Sequence, residues 1–145
     1  MTANVQVVLD HRPTGKVSPA NFRVVESPVP TPGPGQVLVR HAFLSLDPYM
    51  RGMLNDVRSY RKPQEVGAIM HGETVGVVEA SDNPRFKAGD MVVGEGGWQR
   101  HSVSDGRRLR VVDGTTVPVQ AYLGPVGMPG VTAWYGLNKI IAPKA

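Results

Sequence analysis

The residues of this sequence best equipped for chemistry are a phenol, a guanidinium, a hydroxyl and a thioether, and they fall in two short segments. Tyr49 and Arg51 lie in L-S-L-D-P-Y-M-R-G at positions 44–52; Met128 and Thr132 lie in G-M-P-G-V-T-A-W-Y-G-L at positions 127–137. A phenol with a pKa near ~10 can donate a hydrogen bond to an oxygen on which charge develops. Tyrosine rings also commonly serve as core or cleft wall, and both roles stand for Tyr49 at this point. Arg51 either neutralises a phosphate or carboxylate or, as arginines do more often, ties its loop to a backbone carbonyl. Thr132 offers a hydroxyl and Met128 an adaptable apolar wall.

Other chemistries are removed by what the sequence lacks. With no cysteine there is no disulfide, thiolate nucleophile, thiolate-ligated zinc or iron–sulfur site. His71 and Glu73 provide at most two neighbouring ligands where a catalytic zinc takes three, so no metal is expected. His41 and His101 fall in predicted strands, with no serine and carboxylate placed for hydrolysis. No glycine-rich phosphate loop of the G-x-G-x-x-G or G-x-x-x-x-G-K type is present; Gly94, Gly96 and Gly97 ahead of Trp98 read as a turn between strands. The net charge of +4 is scattered, apart from a small cluster at Arg107, Arg108 and Arg110, so nucleic acid is not an expected partner. No apolar stretch reaches the ~18 residues of a membrane span, and no basic leader precedes an apolar run. No membrane contact and a cytoplasmic location are the expectations.

The elements that must position these groups are mostly strands. With 19% charged and 41% hydrophobic residues over 145 positions, the chain suits one folded domain that buries roughly two thirds of its unfolded surface. The 17 glycines and 13 prolines punctuate short β-branched runs, as in an all-β domain. Strands are predicted at 6–9, 22–26, 37–44, 73–80, 91–94, 99–103 and 109–112. The run 37–44 alternates, Val37, Val39, His41 and Phe43 forming one apolar face, which predicts a half-buried strand. Prolines 28, 30, 32 and 34 make an extended connector into it. Residues 83–90 read as a turn. Helices are predicted only near the end, a short one at 117–123 and a longer one at 131–140.

The two segments above and a third, G-W-Q-R-H-S-V-S-D-G at 97–106, together resemble the N-terminal halves of the zinc-independent medium-chain dehydrogenase/reductases, the group of leukotriene B4 12-hydroxydehydrogenase, prostaglandin reductase and curcumin reductase. The opening R-P-T-G-K-V-S-P-A-N-F at 12–22 looks most like the bacterial curcumin-reductase branch. The likeness runs from about Val7 to Lys144, and its paired D-P-Y-M-R and M-P-G-x-T-A motifs are specific. It implies a mainly β fold, a GroES-like partly open β-barrel with a few short helices, occupying 1–145 and stopping before a Rossmann domain that would hold most of the NADP(H). It further implies that Tyr49 lies near the nicotinamide and the substrate carbonyl, and that Pro48, Met128 and Thr132 face the cofactor. His71-Gly72-Glu73 resembles the Gly-His-Glu signature of zinc-dependent relatives, with its order changed and no cysteine beside it.

The activity so implied is NADPH-dependent reduction of the C=C bond of a small enone or alkenal. Two alternatives stay open at the level of sequence: a quinone or alcohol oxidoreductase of the same superfamily, and a non-catalytic GroES-like interaction module. An exposed sheet edge would allow self-association as a homodimer.

Overall fold

The computed structural model describes residues 3–57, 59 and 61–143. Among these, seven strands form two antiparallel sheets. Strands β1 (Asn4–Leu9) and β2 (Phe22–Ser27) pair from Leu9 opposite Phe22 to Asn4 opposite Ser27. The second sheet runs in the order β6-β3-β4-β5-β7, with β3 at Val37–Leu44, β4 at Glu73–Ser81, β5 at Met91–Glu95, β6 at His101–Ser104 and β7 at Arg110–Val111. Two isolated bridges, Gln6 with Gln99 and Val8 with Ile69, tie β1 to segments just ahead of β6 and β4, and the two sheets do not close into a barrel. Buried Asn4 reinforces the join: its amide donates to the His101 carbonyl and its oxygen accepts the His101 N–H, at 3.0 and 2.9 Å.

The core is built from the β-branched runs. Val37, Val39, Val78, Phe86 and Val92 form one cluster, and Val75, Val93, Val112 and Leu123 a second. Leu9, Leu54 and Met70 form a third, with Phe22 and Trp98 packed against it. Each fully buried aliphatic side chain contributes roughly 1.5–3 kcal/mol.

All seven predicted strands are present, with ends shifted by a residue or two. β3 departs from its predicted alternation: Val37, Leu38 and Val39 are all buried, whereas Phe43 and Leu44 are 44% and 37% exposed. The reason is pairing. β6 flanks β3 only from Val37 to Arg40, and beyond His41 the pairing with β4 shifts register, so the far end projects past its cover.

The helices differ more. Tyr49–Met53 forms a one-turn helix, α1, where the sequence suggests a turn. Pro48 already holds helical dihedrals, and the N–H groups of Met50 and Arg51 donate to the carbonyls of Asp47 and Pro48. Residues 119–123 form a 3₁₀ turn. Helix α2 spans Met128–Tyr135, starting three residues earlier than predicted because Pro129 suits a first turn, and widens into a π-helical stretch over Gly136–Ile141. No helix among the described residues is long and apolar enough to cross a membrane.

Candidate functional site

The D-P-Y-M-R segment is held from both sides. The Arg51 guanidinium donates to the Gly15 carbonyl and to the Asn55 side-chain oxygen, both at 2.8 Å, so of its two readings the structural one holds. Arg12 donates to the Leu54 carbonyl at 3.0 Å, fixing the far end of α1. Tyr49, the first residue of α1, is half-buried, and the Arg61 guanidinium carbon lies 5.2 Å from its ring centroid. Pro48 is exposed and borders an apolar cleft of ≈ 410 Å³, whose walls include Phe22, Leu46, Met50, Met70 and Trp98. Trp98 stacks on Phe22 with ring centroids 5.7 Å apart. Tyr49, Met128 and Thr132 are not among the cleft's lining residues.

Met128 and Thr132 sit together at the start of α2. The Thr132 hydroxyl donates to the Met128 carbonyl at 2.8 Å, and the Met128 sulfur lies 3.7 Å from it. Tight glycines make this turn: a Cβ at Gly127 would collide with the Tyr122 carbonyl, and one at Gly130 with that of Pro125. The helix buries none of its residues. Met128 and Val131 are each 63% exposed, and Trp134 and Tyr135 each 56%. The structure therefore pairs Pro48 with Tyr49, and Met128 with Thr132, on separate elements.

Beside Tyr49 lies a polar pocket of ≈ 590 Å³ lined by Met53, Arg61, Lys62, His71, Glu95 and Arg108. Glu95 accepts from Arg61 at 2.8 Å and from Arg108 at 2.7 Å, one carboxylate oxygen each. Burial opposes the Glu95 charge, but these two bonds outweigh it and hold its carboxyl below the ordinary value. Glu73, half-buried nearby, is pushed up by burial and then by Asp47, against the pull of Arg110 and Arg61. The loop carrying these groups is set by buried Gln64, whose amide donates to the Ile69 carbonyl and whose oxygen accepts the His71 N–H. Reading the sequence singled out His71 and the cluster around Arg108 but not Arg61, Lys62 or Glu95. Arg61 and Lys62 lie more than thirty residues before Glu95 in the chain, and no local pattern in the sequence signalled that they share a pocket.

His41 and His101 stand apart from this region. The His41 Nε2 lies 2.8 Å from the Ser102 hydroxyl, and His101 Nε2 lies 3.4 Å from a Glu79 oxygen. The Nδ1 atom of each ring is buried without a hydrogen-bond partner. A cavity of ≈ 710 Å³ bounded by Glu26, Arg40, Glu79 and His101 includes none of the predicted site residues. Among the described residues, no three His, Cys, Asp or Glu side chains gather as a metal site.

Comparison with known proteins joins these observations. Residues 5–112 match the family model described as the N-terminal domain of oxidoreductase. The chain is 45% identical over 141 residues to the NADPH-dependent curcumin reductase of Escherichia coli, covering 97% of this chain and 41% of that protein. It is 34% identical to the NADP(+)-dependent 2-alkenal reductase of Nicotiana tabacum, over 98% of this chain and 43% of the relative. The crystal structure of CurA from Vibrio vulnificus in complex with NADPH superposes with a TM-score of 0.89 at 42% identity, over 97% of this chain and 42% of that one. The chain thus spans about two fifths of the length of these relatives.

Proposed function

Because the chain belongs to the family of oxidoreductase N-terminal domains, in the zinc-independent medium-chain group of the curcumin, prostaglandin and alkenal reductases, we propose that it is the substrate-side domain of an NADPH-dependent reductase. The reaction is reduction of the carbon–carbon double bond of an α,β-unsaturated aldehyde or ketone. The observation that carries this reading is the likeness, over nearly the whole chain, to reductases named for that chemistry.

The residues present suit the nicotinamide end of the dinucleotide rather than its phosphates. Met128 and Val131 present exposed apolar surface fit for a flat ring, and the Thr132 oxygen, although donating to the Met128 carbonyl, can still accept a hydrogen bond. The sequence has no glycine-rich phosphate loop, so Pro48, Met128 and Thr132 would hold the nicotinamide while a Rossmann domain outside this chain takes the pyrophosphate. When bound, the cofactor supplies the hydride that saturates the β-carbon. The Tyr49 phenol donates a hydrogen bond to the carbonyl oxygen as the double-bond pair shifts to join the α-carbon to the carbonyl carbon and the carbonyl pair moves onto that oxygen, and the α-carbon of the enolate then takes a proton from solvent. Helix α1, tied down through Arg51 and Arg12, holds the phenol in place for this.

Kinetics of the full-length protein test the reading. NADPH oxidation with a small alkenal is expected, and Tyr49→Phe should lower kcat about 10²-fold while leaving the KM for NADPH in place. Unchanged turnover would exclude the phenol from the reaction, and a wild-type protein inert toward alkenals would exclude the reaction itself.

A further inference from the structure

Resting on that reading, we propose that Arg61 is a positioning residue for the reaction: its guanidinium, laid over the Tyr49 ring, holds the phenol in the orientation from which it donates its hydrogen bond. The guanidinium carbon stands 5.2 Å from the ring centroid, inside the roughly 6 Å over which a cation is attracted to the face of an aromatic ring. Arg61 is itself anchored. Its Nη2 donates to Glu95 Oε1 at 2.8 Å, while Glu95 Oε2 accepts from Arg108 Nη1 at 2.7 Å. Glu95 is the last residue of β5 and sits opposite Glu73 on β4, so the anchor rests on paired strands. The two arginine bonds outweigh burial and keep the Glu95 carboxyl charged, which keeps the anchor in force.

The other ties around Tyr49 act on the helix and leave the ring to be held by something else. Arg51 bonds the Gly15 carbonyl and the Asn55 side chain, and Arg12 bonds the Leu54 carbonyl. These fix α1, yet a half-buried ring at its first residue can still turn about its own side-chain bonds. A flat guanidinium over one face restricts that rotation, and small errors in the placing of a reacting group are costly. Charge acts in the same direction. Two guanidiniums share one carboxylate, so the group keeps a net positive charge with Arg61 as its member over the ring, which favours negative charge developing on an oxygen bound to the phenol. Glu73, a further carboxyl that feels Arg61, is made less ready to ionise by burial and by Asp47. Arginine suits the task because one planar group both stacks on a ring and grips a carboxylate, whereas lysine supplies only the charge. Lys62 lines the same pocket as Arg61, but the cations placed over rings among the described residues do not include it.

The experiment is a double-mutant cycle on the full-length protein, with kcat and KM measured for NADPH-dependent reduction of a small straight-chain alkenal and folding checked by circular dichroism. Arg61→Gln should lower kcat about tenfold and leave the KM for NADPH in place. In the Tyr49→Phe background the same substitution should change kcat by less than about twofold, because the phenol it serves is gone. Arg61→Lys should recover about threefold over Arg61→Gln, and Lys62→Gln should leave kcat unchanged. Should Arg61→Gln not fold, Glu95→Gln takes its place in the cycle: weakening the anchor should lower kcat about threefold with Tyr49 present and not without it. Overturning the assignment takes an unchanged kcat in Arg61→Gln, an equal loss with and without the phenol, or an equal loss in Lys62→Gln. Any of these leaves the enone reading intact as long as the wild type reduces the alkenal and Tyr49→Phe does not. If Tyr49→Phe turns over like the wild type, the reading of the phenol fails and this inference falls with it.

Discussion

Protonating His41 works against the folded state. Burial, and then the neighbouring His101, lower its pKa from 6.5 to about 4. An unfolded chain takes up that proton near pH 6.5 and the folded one only near 4, so stability is complete above the upper value and declines as pH falls toward the lower. The gap corresponds to about 3 kcal/mol. Urea unfolding of the protein should show a clear loss between about pH 7.5 and 5, and a His41→Gln variant should flatten that slope. Asp10, Asp113 and Glu95, whose pKa values are also lowered, titrate below this window. The sequence placed His41 in a strand but could not reveal its burial, which depends on Gly96: a Cβ there would strike the imidazole. The tie of Arg51 to a backbone carbonyl was one of the two readings its motif offered. The partnership of Arg61 with Arg108 was not legible, because Glu95 brings together residues from loops far apart in sequence.

Among the elements, the β3–β4 pairing brings two backbones into close approach. A Cβ at Gly76 would strike the Arg40 carbonyl on the neighbouring strand, whereas one at Gly52 in α1 meets nothing within 4 Å. Gly76→Ala should therefore cost about 2 kcal/mol or more by forcing the strands apart, while Gly52→Ala should add about 0.5–1 kcal/mol of helix stability. Thermal unfolding of the two variants should show shifts of opposite sign. The strands could be read from sequence because β-branched runs between glycines and prolines are a local signal. The exposure at the end of β3 could not, since it follows from how far β6 reaches. α1 is likewise too short to show a helical period, and Gly52 within it argues against a helix when read residue by residue.

At the scale of the molecule, the proposed reading gives Met128 and Thr132 to the nicotinamide ring, and because the sequence has no glycine-rich phosphate loop, NADPH binding on that reading depends on structure beyond this chain. Titration with NADPH should find this chain at least ~10²-fold weaker than the full-length protein, and equal affinities would place the phosphate grip here after all. The two tryptophans give this molecule its own optical reporters. Trp98 is stacked on Phe22, with its indole nitrogen buried and unpartnered. Trp134 is 56% exposed on bare α2, with Lys139 5.9 Å from its ring. Their fluorescence should therefore separate into a shielded, bluer component and a water-quenched, redder one. A domain docking over α2 would change the second and leave the first alone, while a ligand entering the apolar cleft would do the reverse.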